Sequence, residues 1–354
     1  MSLVHWYTQH PSRPKPPPLH KTEHVSIIGQ GNVALDVARM LLTPPDILEK
    51  YDVPAPVLDV LCRSAVRHVS IIGRRGPLQA AFTTKELREL TTLAGASMIP
   101  LAHDVITPAP GTKLTRQQSR MLQLLQKGSP TATPTHTPNP PTSTKSWSLD
   151  FFRSSTGFTA DGQHLSLAHT ALNEDSRAVP TGASSLLTTD LVVTALGHHS
   201  DPLLPYYDPT LGHLRTDRER RVLDATNRAL RRVYASGWAA TGARGVLATT
   251  MMDAYAVADS ILTDHFGDGP GGGAGVVSNQ SEAYSDDMLV SDDVDLESLP
   301  GAVEQGIKEK RVVQYEQWKK IDAEELRRGV ESGKERERME WDEVPEFLTR
   351  AGAW

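Results

Sequence analysis

The sequence contains very little cysteine, and this scarcity limits the kinds of site that its 354 residues can build. The single cysteine, Cys62, excludes an internal disulfide and any metal site made of several thiolates. No apolar run approaches the length of a membrane-spanning helix, so no transmembrane segment is predicted. The first twenty residues lack the apolar core of a signal peptide and the amphipathic pattern of a transit peptide, so no targeting segment is visible. The net charge of -6 gives no reason to expect a nucleic acid as partner.

Strands and helices alternate along the sequence, and this order indicates an open, mostly parallel α/β sheet. Apolar periodicity predicts strands at 24–28, 66–72, 146–153, 190–196 and 233–238. It predicts helices at 32–42, 84–94, 115–127, 245–262 and 304–328, with short helices broken by proline between 46 and 63. Two segments without such periodicity, 128–144 and 267–297, are predicted to be disordered.

A glycine turn follows the first predicted strand and opens a helix, which is the context of a dinucleotide phosphate loop. The turn reads Gly-Gln-Gly-Asn-Val-Ala (29–34). Gly29 permits the tight turn, Gly31 lets the backbone approach a pyrophosphate, and Ala34 still allows the helix to pack closely on the strand. The helix N-terminus would then offer N–H groups to the phosphates. A tight turn that binds no ligand is the alternative.

The second predicted strand is followed by Arg74 and Arg75. In a site for NAD, this strand end carries an acid that holds the ribose 2′-hydroxyl. Two guanidinium groups would instead attract a 2′-phosphate, so the pair predicts a preference for NADPH over NADH. The alternative is a pair of surface arginines. The spacing from Gly31 exceeds the usual ~20 residues, so a helical insertion is expected between them.

Several motifs along the chain match one known family. They are Gly-Gln-Gly-Asn-Val-Ala-Leu-Asp-Val-Ala-Arg (29–39), Gly-Arg-Arg-Gly-Pro-Leu-Gln (73–79), Phe-Phe-Arg-Ser (151–154), Ala-Val-Pro-Thr-Gly (178–182), Ser-Gly-Trp (236–238), Gly-Val-Leu-Ala-Thr-Thr-Met (245–251) and Trp-Lys-Lys-Ile-Asp-Ala-Glu-Glu (318–325). On these motifs the chain resembles the adrenodoxin reductases, the mitochondrial NADPH:ferredoxin oxidoreductases, nearly from end to end.

The resemblance implies a flavoenzyme with a doubly wound α/β fold, two interleaved Rossmann-like domains, and NADP and FAD as cofactors. The NADP contacts of the family carry over to Gln30, Gly31, Asn32, Val33, Arg74, Arg75, Glu86 and Gly245. Its FAD contacts carry over to Trp238, Gly245, Val246 and Leu247, although a core aromatic is the alternative interpretation of Trp238. No catalytic acid or base and no metal ligand is assigned, because hydride transfer is the chemistry of the cofactors.

The resemblance also divides the chain. Residues 1–18 correspond to the end of an FAD-domain segment, 19–197 to the NADP-binding domain, and 198–354 to the C-terminal part of the FAD domain. The family's opening Gly-x-Gly-x-x-Gly unit, which holds the ADP half of FAD, has no counterpart here. We therefore expect an FAD domain that is incomplete at its N-terminus. The run 239–244 also departs from the Lys/Arg-Gly-Pro that usually follows the tryptophan.

Basic residues predominate between 61 and 127, with ten arginines and lysines against three acidic residues. Lys113, Arg116, Arg120 and Lys127 have the spacing of one helical face. Such a face would steer an acidic partner, and the family's electron acceptor is an acidic 2Fe–2S ferredoxin. A solvated helix face is the alternative. The resemblance implies a mitochondrial protein, in the matrix or on the matrix side of the inner membrane.

Electron transfer from NADPH through FAD to a ferredoxin is thus the leading functional hypothesis. Two alternatives remain at this point. One is a truncated NADPH-binding remnant with little flavin binding or activity, and the other is an unrelated NADP-dependent dehydrogenase. If the chain lacks the ADP-binding half of its flavin site, we expect little bound FAD and slow turnover.

Overall fold

The structure is a computed structural model that describes residues 2–12, 14–108, 111–129, 145–243, 245, 247–266 and 298–354. Contacts divide the chain into two units, one of residues 1–196 with 301–354 and the other of residues 197–300. The predicted disordered segments lie outside the described residues, except for Gly128 and Ser129.

The first unit is built on a parallel sheet, as the alternating pattern predicted. Its strands are β1 (His24–Ile28), β2 (His68–Gly73), β3 (Ala96–Met98), β4 (Lys145–Phe151), β5 (Arg153–Phe158), β6 (His164–Leu172), β7 (Ala178–Thr188) and β8 (Leu191–Thr194). The five-stranded sheet has the order β3-β4-β2-β1-β8, with every pair parallel. Because β2 and β8 flank β1 on opposite sides, the end of β1 is the point where a sheet of this kind binds its ligand.

The helices of the described chain are α1 (Ser2–Tyr7), α2 (Asn32–Leu42), α3 (Pro45–Leu48), α4 (Ala55–Cys62), α5 (Thr84–Thr91), α6 (His103–Ile106), α7 (Arg116–Lys127), α8 (Trp238–Thr241), α9 (Leu247–Phe266), α10 (Gly301–Lys308), α11 (Tyr315–Ser332) and α12 (Glu343–Arg350). The helix predicted at 32–42 is confirmed. The short helices α3 and α4 supply the insertion expected between the glycine turn and the arginine pair.

Two different layers cover the parallel sheet. One face contributes Val69, Ile71 and Trp147 to the main core, together with side chains from α2, α5 and α7. On the other face, Ile72 packs against Leu165 and other residues of the antiparallel sheet formed by β5, β6 and β7. The parallel α/β sheet is therefore confirmed, and in this unit an antiparallel sheet forms part of its second layer.

Contacts within the chain group the segment 301–354 with the first unit. Its assignment, together with residues 198–300, to the C-terminal part of an FAD domain stays a prediction. Polar contacts join this segment to the first unit, among them the ion pair of Arg338 with Asp52 at 2.5 Å. Lys334 donates from Nζ to the Val53 carbonyl oxygen at 3.1 Å. The single helix predicted at 304–328 is wrong, because α10 and α11 are separated by a turn in which Lys310 has a φ of 56°.

In its described residues, the second unit contains short antiparallel strand pairs and two helices, α8 and α9. Its strands are β9 (Tyr207–Asp208), β10 (His213–Leu214), β11 (Arg221–Leu223) and β12 (Ala229–Tyr234). Strand β12 starts earlier and ends earlier than the predicted 233–238, so Trp238 starts a helix instead of ending a strand. No helix in the described ranges is long and apolar enough to cross a membrane.

Candidate functional site

The glycine turn lies at the carboxyl edge of the sheet, between β1 and α2. Gly29 has a φ of 132°, a backbone conformation that residues with a side chain rarely adopt. A Cβ at this position would lie 2.2 Å from the carbonyl oxygen of Ala195, which directly follows β8. The Gly29 N–H donates to the carbonyl oxygen of Ile72 at 2.8 Å. The tight turn predicted at Gly29 is therefore confirmed.

Gly31 differs from Gly29 because it faces open space. It is the N-cap of α2, with extended backbone (φ -111°, ψ 177°), and no side chain caps the helix. A Cβ added at Gly31 would meet no atom within 4 Å. The first turn of α2 contains no acidic residue. An uncapped helix N-terminus beside open space is suited to receive an anion such as a phosphate.

Two buried polar atoms near this turn lack hydrogen-bond partners within the described residues, namely Nε2 of Gln30 and Oε2 of Glu86. The Gln30 side chain lies against Gly73, where an added Cβ would overlap it at 1.8 Å. Glu86 lies in the first turn of α5, which packs on α2. Leaving such a group unpaired costs about 1 to 3 kcal/mol. Both atoms therefore fit a site in which a polar ligand completes their hydrogen bonding.

Backbone and side-chain hydrogen bonds join the turn to the segment before α5. The Ala81 N–H donates to the Gln30 carbonyl oxygen at 2.8 Å. The Thr83 N–H donates to Oδ1 of Asn32 at 2.9 Å. The Thr83 hydroxyl in turn caps α5 by accepting from the Glu86 N–H. Through Thr83, these bonds connect Asn32 with Glu86. The role of Thr83 was not predicted from the sequence.

Arg74 and Arg75 are exposed and directly follow β2 at the same edge of the sheet. Their carbonyl oxygens are held in place, since the Thr170 hydroxyl donates to that of Arg74 at 2.7 Å. The Phe152 N–H donates to that of Arg75 at 3.3 Å. Both arginines line a cavity of ≈ 450 Å³ together with Asp175, Ser176, Arg177 and Ala178. The sequence did not single out Arg177.

The sheet behind the turn contains a polar row that the sequence did not reveal. The His68 ring contacts the hydroxyl of Ser146 at 2.8 Å and that of Ser70 at 3.1 Å. Burial lowers the pKa of His68 to about 4, so its imidazole is neutral near pH 7. Burial raises the pKa of Asp150, at the end of the row, while its hydrogen bond from Ser148 opposes that rise. These buried polar side chains are hydrogen-bonded to one another, so no ligand is needed to explain them.

In the second unit, Trp238 starts α8 and is 51% exposed, so its interpretation as a core aromatic is wrong. Its ring stacks on that of His198, with centroids 5.9 Å apart. The preceding Gly237 has a φ of 57°, and its N–H donates to Oδ2 of Asp253 at 2.7 Å. Asp253 also pairs with Arg220 at 2.5 Å. This pair fixes the turn from which Trp238 projects.

The helix predicted at 245–262 is present as α9 (Leu247–Phe266), and it starts two residues later than predicted. Gly245 is exposed, with a φ of 91°, and α9 begins two residues later at Leu247. Val246 lies outside the described residues. A glycine with positive φ thus precedes α9, while the cofactor contacts assigned to Gly245, Val246 and Leu247 remain predictions.

No known family profile matches the chain. Among curated proteins, it is 36% identical to the mitochondrial NADPH:adrenodoxin oxidoreductase of Rattus norvegicus, over 96% of this chain and 66% of the rat protein. It is 31% identical to the protein of that name from Drosophila melanogaster, over 99% of this chain and 68% of the fly protein. The chain thus spans about two thirds of the length of these relatives.

A solved structure with a similar fold is that of FprA from Mycobacterium tuberculosis in complex with NADPH. The two chains are 27% identical, with a TM-score of 0.72, and the match covers 98% of this chain and 72% of FprA.

Proposed function

The chain belongs to the NADPH:adrenodoxin oxidoreductase family, and on that premise we propose that it takes part in electron transfer from NADPH through FAD. The observation that carries the NADPH part is the uncapped start of α2 at Gly31, beside the unpaired polar atoms of Gln30 and Glu86. A bound nucleotide would give both atoms a partner. The mycobacterial relative of similar fold has been solved with NADPH.

Each part of the nucleotide has candidate partners at the edge of the parallel sheet. Gly31, Asn32 and Val33 would receive the pyrophosphate through the N–H groups at the start of α2. Gln30 would donate from its unpaired Nε2. Arg74 and Arg75 would bind the 2′-phosphate, because exposed guanidinium groups form charge-assisted and bidentate hydrogen bonds with phosphate.

The flavin part of the proposal depends on the second unit. When bound, FAD would supply the ring that accepts the hydride and passes electrons on singly. The half-exposed ring of Trp238, held at a fixed turn, offers an aromatic surface for such a ring system. We propose flavin contacts for Trp238 and for Gly245, Val246 and Leu247, and a contact of Gly245 with NADP.

The electron acceptor we propose is a 2Fe–2S ferredoxin that docks on α7. Arg116, Arg120 and Lys127 are exposed on this helix, whereas Met121 and Leu125 are buried on its other side. Lys113 precedes the helix, since Thr115 is its N-cap, and is also exposed. Arg116 occupies the first helical position, where the helix dipole disfavours a cation. Because a positive charge at Arg116 does not favour the helix itself, its presence supports a role in binding an acidic partner. The mitochondrial relatives suggest a mitochondrial location.

A second candidate function is NADPH binding without flavin turnover. It is favoured by one observation: across the described ranges, β1 is the one parallel strand that leads through a glycine turn into a long helix. FAD carries its own pyrophosphate, which such a turn would be expected to bind.

The purified full chain distinguishes the two candidates. Flavin content is measured from the visible absorbance, and activity from NADPH-dependent reduction of ferricyanide and of cytochrome c through a 2Fe–2S ferredoxin. Bound flavin with turnover on the order of 1 per second supports the oxidoreductase. NADPH binding by a colourless protein without turnover supports the second candidate. Failure to bind NADPH contradicts both.

A further inference from the structure

We propose that Arg177 is a third arginine that binds the 2′-phosphate of NADPH, beside Arg74 and Arg75. This inference rests on the proposed NADPH site and extends it to a residue about a hundred positions away in sequence. All three side chains line the same cavity of ≈ 450 Å³.

Arg177 lies in a tightly ordered turn between β6 and β7. Its N–H donates to Oδ1 of Asn173 at 2.8 Å, and its carbonyl oxygen accepts from the Asn173 N–H at 2.9 Å. The Ser176 N–H donates to the Asn173 carbonyl oxygen at 2.9 Å, with Ser176 at a φ of 58°. Asparagine at such a position stabilises a turn through its own side chain. The backbone of Arg177 is therefore fixed, while its exposed side chain remains available.

The hairpin that carries Arg177 is attached to the segment that carries Arg74. The Thr170 hydroxyl, on β6, donates to the Arg74 carbonyl oxygen at 2.7 Å. The Thr170 N–H donates to the Phe152 carbonyl oxygen at 3.0 Å. Thr170 is 8% exposed, so these bonds are shielded from water. They keep the hairpin turn and the end of β2 on opposite sides of one cavity.

The charges around this cavity match those of a phosphate monoester. Its lining contains three guanidinium groups and one carboxylate, that of Asp175, which leaves two positive charges. A phosphate monoester carries about -1.5 to -2 at pH 7. Elsewhere many arginines pair with carboxylates, as Arg336 does with Glu325 at 2.8 Å. Among the described residues, no ion pair within 4.0 Å involves Arg74, Arg75 or Arg177.

The test compares two ligands that differ only in the 2′-phosphate, adenosine 2′,5′-bisphosphate and AMP. Titration of the full chain should show that Arg177→Ala weakens binding of the bisphosphate by about threefold to tenfold and leaves AMP binding unchanged. Arg177→Lys, which keeps the charge but loses the planar fork, should give a smaller loss. Asp175→Asn should tighten binding of the bisphosphate, because it removes the opposing charge. Arg63→Ala serves as a control for loss of an exposed arginine outside the cavity.

Two outcomes overturn the proposal. One is unchanged affinity of Arg177→Ala for the bisphosphate, and the other is an equal loss for both ligands. The Arg74→Ala/Arg75→Ala double variant separates this failure from that of the NADPH site. If the double variant loses bisphosphate selectively while Arg177→Ala does not, the site stands and Arg177 is not part of it. If the wild-type chain binds both ligands equally, the proposed NADPH site itself is wrong.

Discussion

At the scale of single residues, Gly29 and Gly31 have opposite requirements although they are two positions apart. A side chain at Gly29 would meet the Ala195 backbone and require a strained φ of 132°, so its restriction is structural. A Cβ at Gly31 would meet no atom within 4 Å, so the methyl group of an alanine there would occupy only the space in which we propose a phosphate binds. Substitution of Gly29 therefore tests the stability of the turn, and substitution of Gly31 tests the binding function that we propose.

We predict that Gly31→Ala retains the fold but loses affinity for NADPH, whereas Gly29→Ala loses stability. The Gly29 change adds backbone strain of about 1 to 3 kcal/mol to a steric overlap with fixed backbone. Thermal unfolding and NADPH titration of both variants are the measurements. A Gly31→Ala chain that binds NADPH as tightly as the wild type would contradict the proposed phosphate site.

From the residues alone, the site residues that could be predicted are those that belong to short motifs at strand ends. Gly29, Gly31 and the arginine pair stand at strand ends, where the alternation of strands and helices already fixes their place. The Thr-x-x-Glu pattern at 83–86 marks Thr83 as a helix N-cap, but nothing local in the sequence shows that its N–H binds Asn32. Arg177 reaches the site through a distant hairpin, so no local pattern marks it. The exposure of Trp238 was likewise not readable, because aromatic residues are common both in cores and at surfaces.

At the scale of elements, α7 combines a buried apolar side with an exposed basic side. Because Arg116 is its first residue, Arg116→Glu places an anion where the helix dipole favours one, with a gain of about 0.3 to 1 kcal/mol. We predict that this variant is at least as stable as the wild type but binds a 2Fe–2S ferredoxin more weakly, most clearly at low salt. Loss of ferredoxin binding then cannot be attributed to unfolding.

Binding is measured by titration at two salt concentrations, with NADPH binding as a check that the nucleotide site is intact. Lys50→Glu is the matched control, since it makes the same change of charge at an exposed lysine outside α7. Equal ferredoxin affinity for Arg116→Glu and the wild type at low salt would make the basic side of α7 an ordinary solvated surface.

A carboxylate of α9, that of Asp253, contacts the turn from which the short helix α8 starts. Asp253 is 9% exposed in its side chain and binds both the Gly237 N–H and Arg220. We predict that Asp253→Ala loosens the turn at 236–242, since it leaves a buried N–H and a guanidinium without their partner. Hydrogen exchange of this segment should rise while that of β1 stays unchanged. Unchanged exchange at 236–242 would show that the turn is held by other contacts.

Element boundaries were predictable where caps and prolines mark them. Helix α2 matched its prediction, and α7 starts after the Thr115 cap. The break between α10 and α11 was missed, because the segment keeps a charged composition throughout and contains no proline. Gln314 is the N-cap of α11 and forms a capping box with Gln317, and glutamine is uncommon at the N-cap position. The antiparallel layer of β5, β6 and β7 was also not predicted.

At the scale of the whole molecule, the chain matches members of one family along nearly its full length. Membership of the adrenodoxin reductase family follows from identities of 31% and 36% across nearly the whole chain. The activity is a proposal, since the chain spans about two thirds of the length of those relatives. The parallel sheet, with its glycine turn and arginine pair, carries the proposed NADPH site. NADPH binding can therefore be tested on this chain alone.

The most direct test is a titration of the purified full chain with NADPH and NADH, for the wild type and the Arg74→Ala/Arg75→Ala variant. We predict that the wild type binds NADPH with a clear preference over NADH. The double variant should lose about 2 to 4 kcal/mol of binding free energy for NADPH and little for NADH. Equal affinities of the wild type for the two cofactors, or an equal loss for both in the variant, would contradict the account.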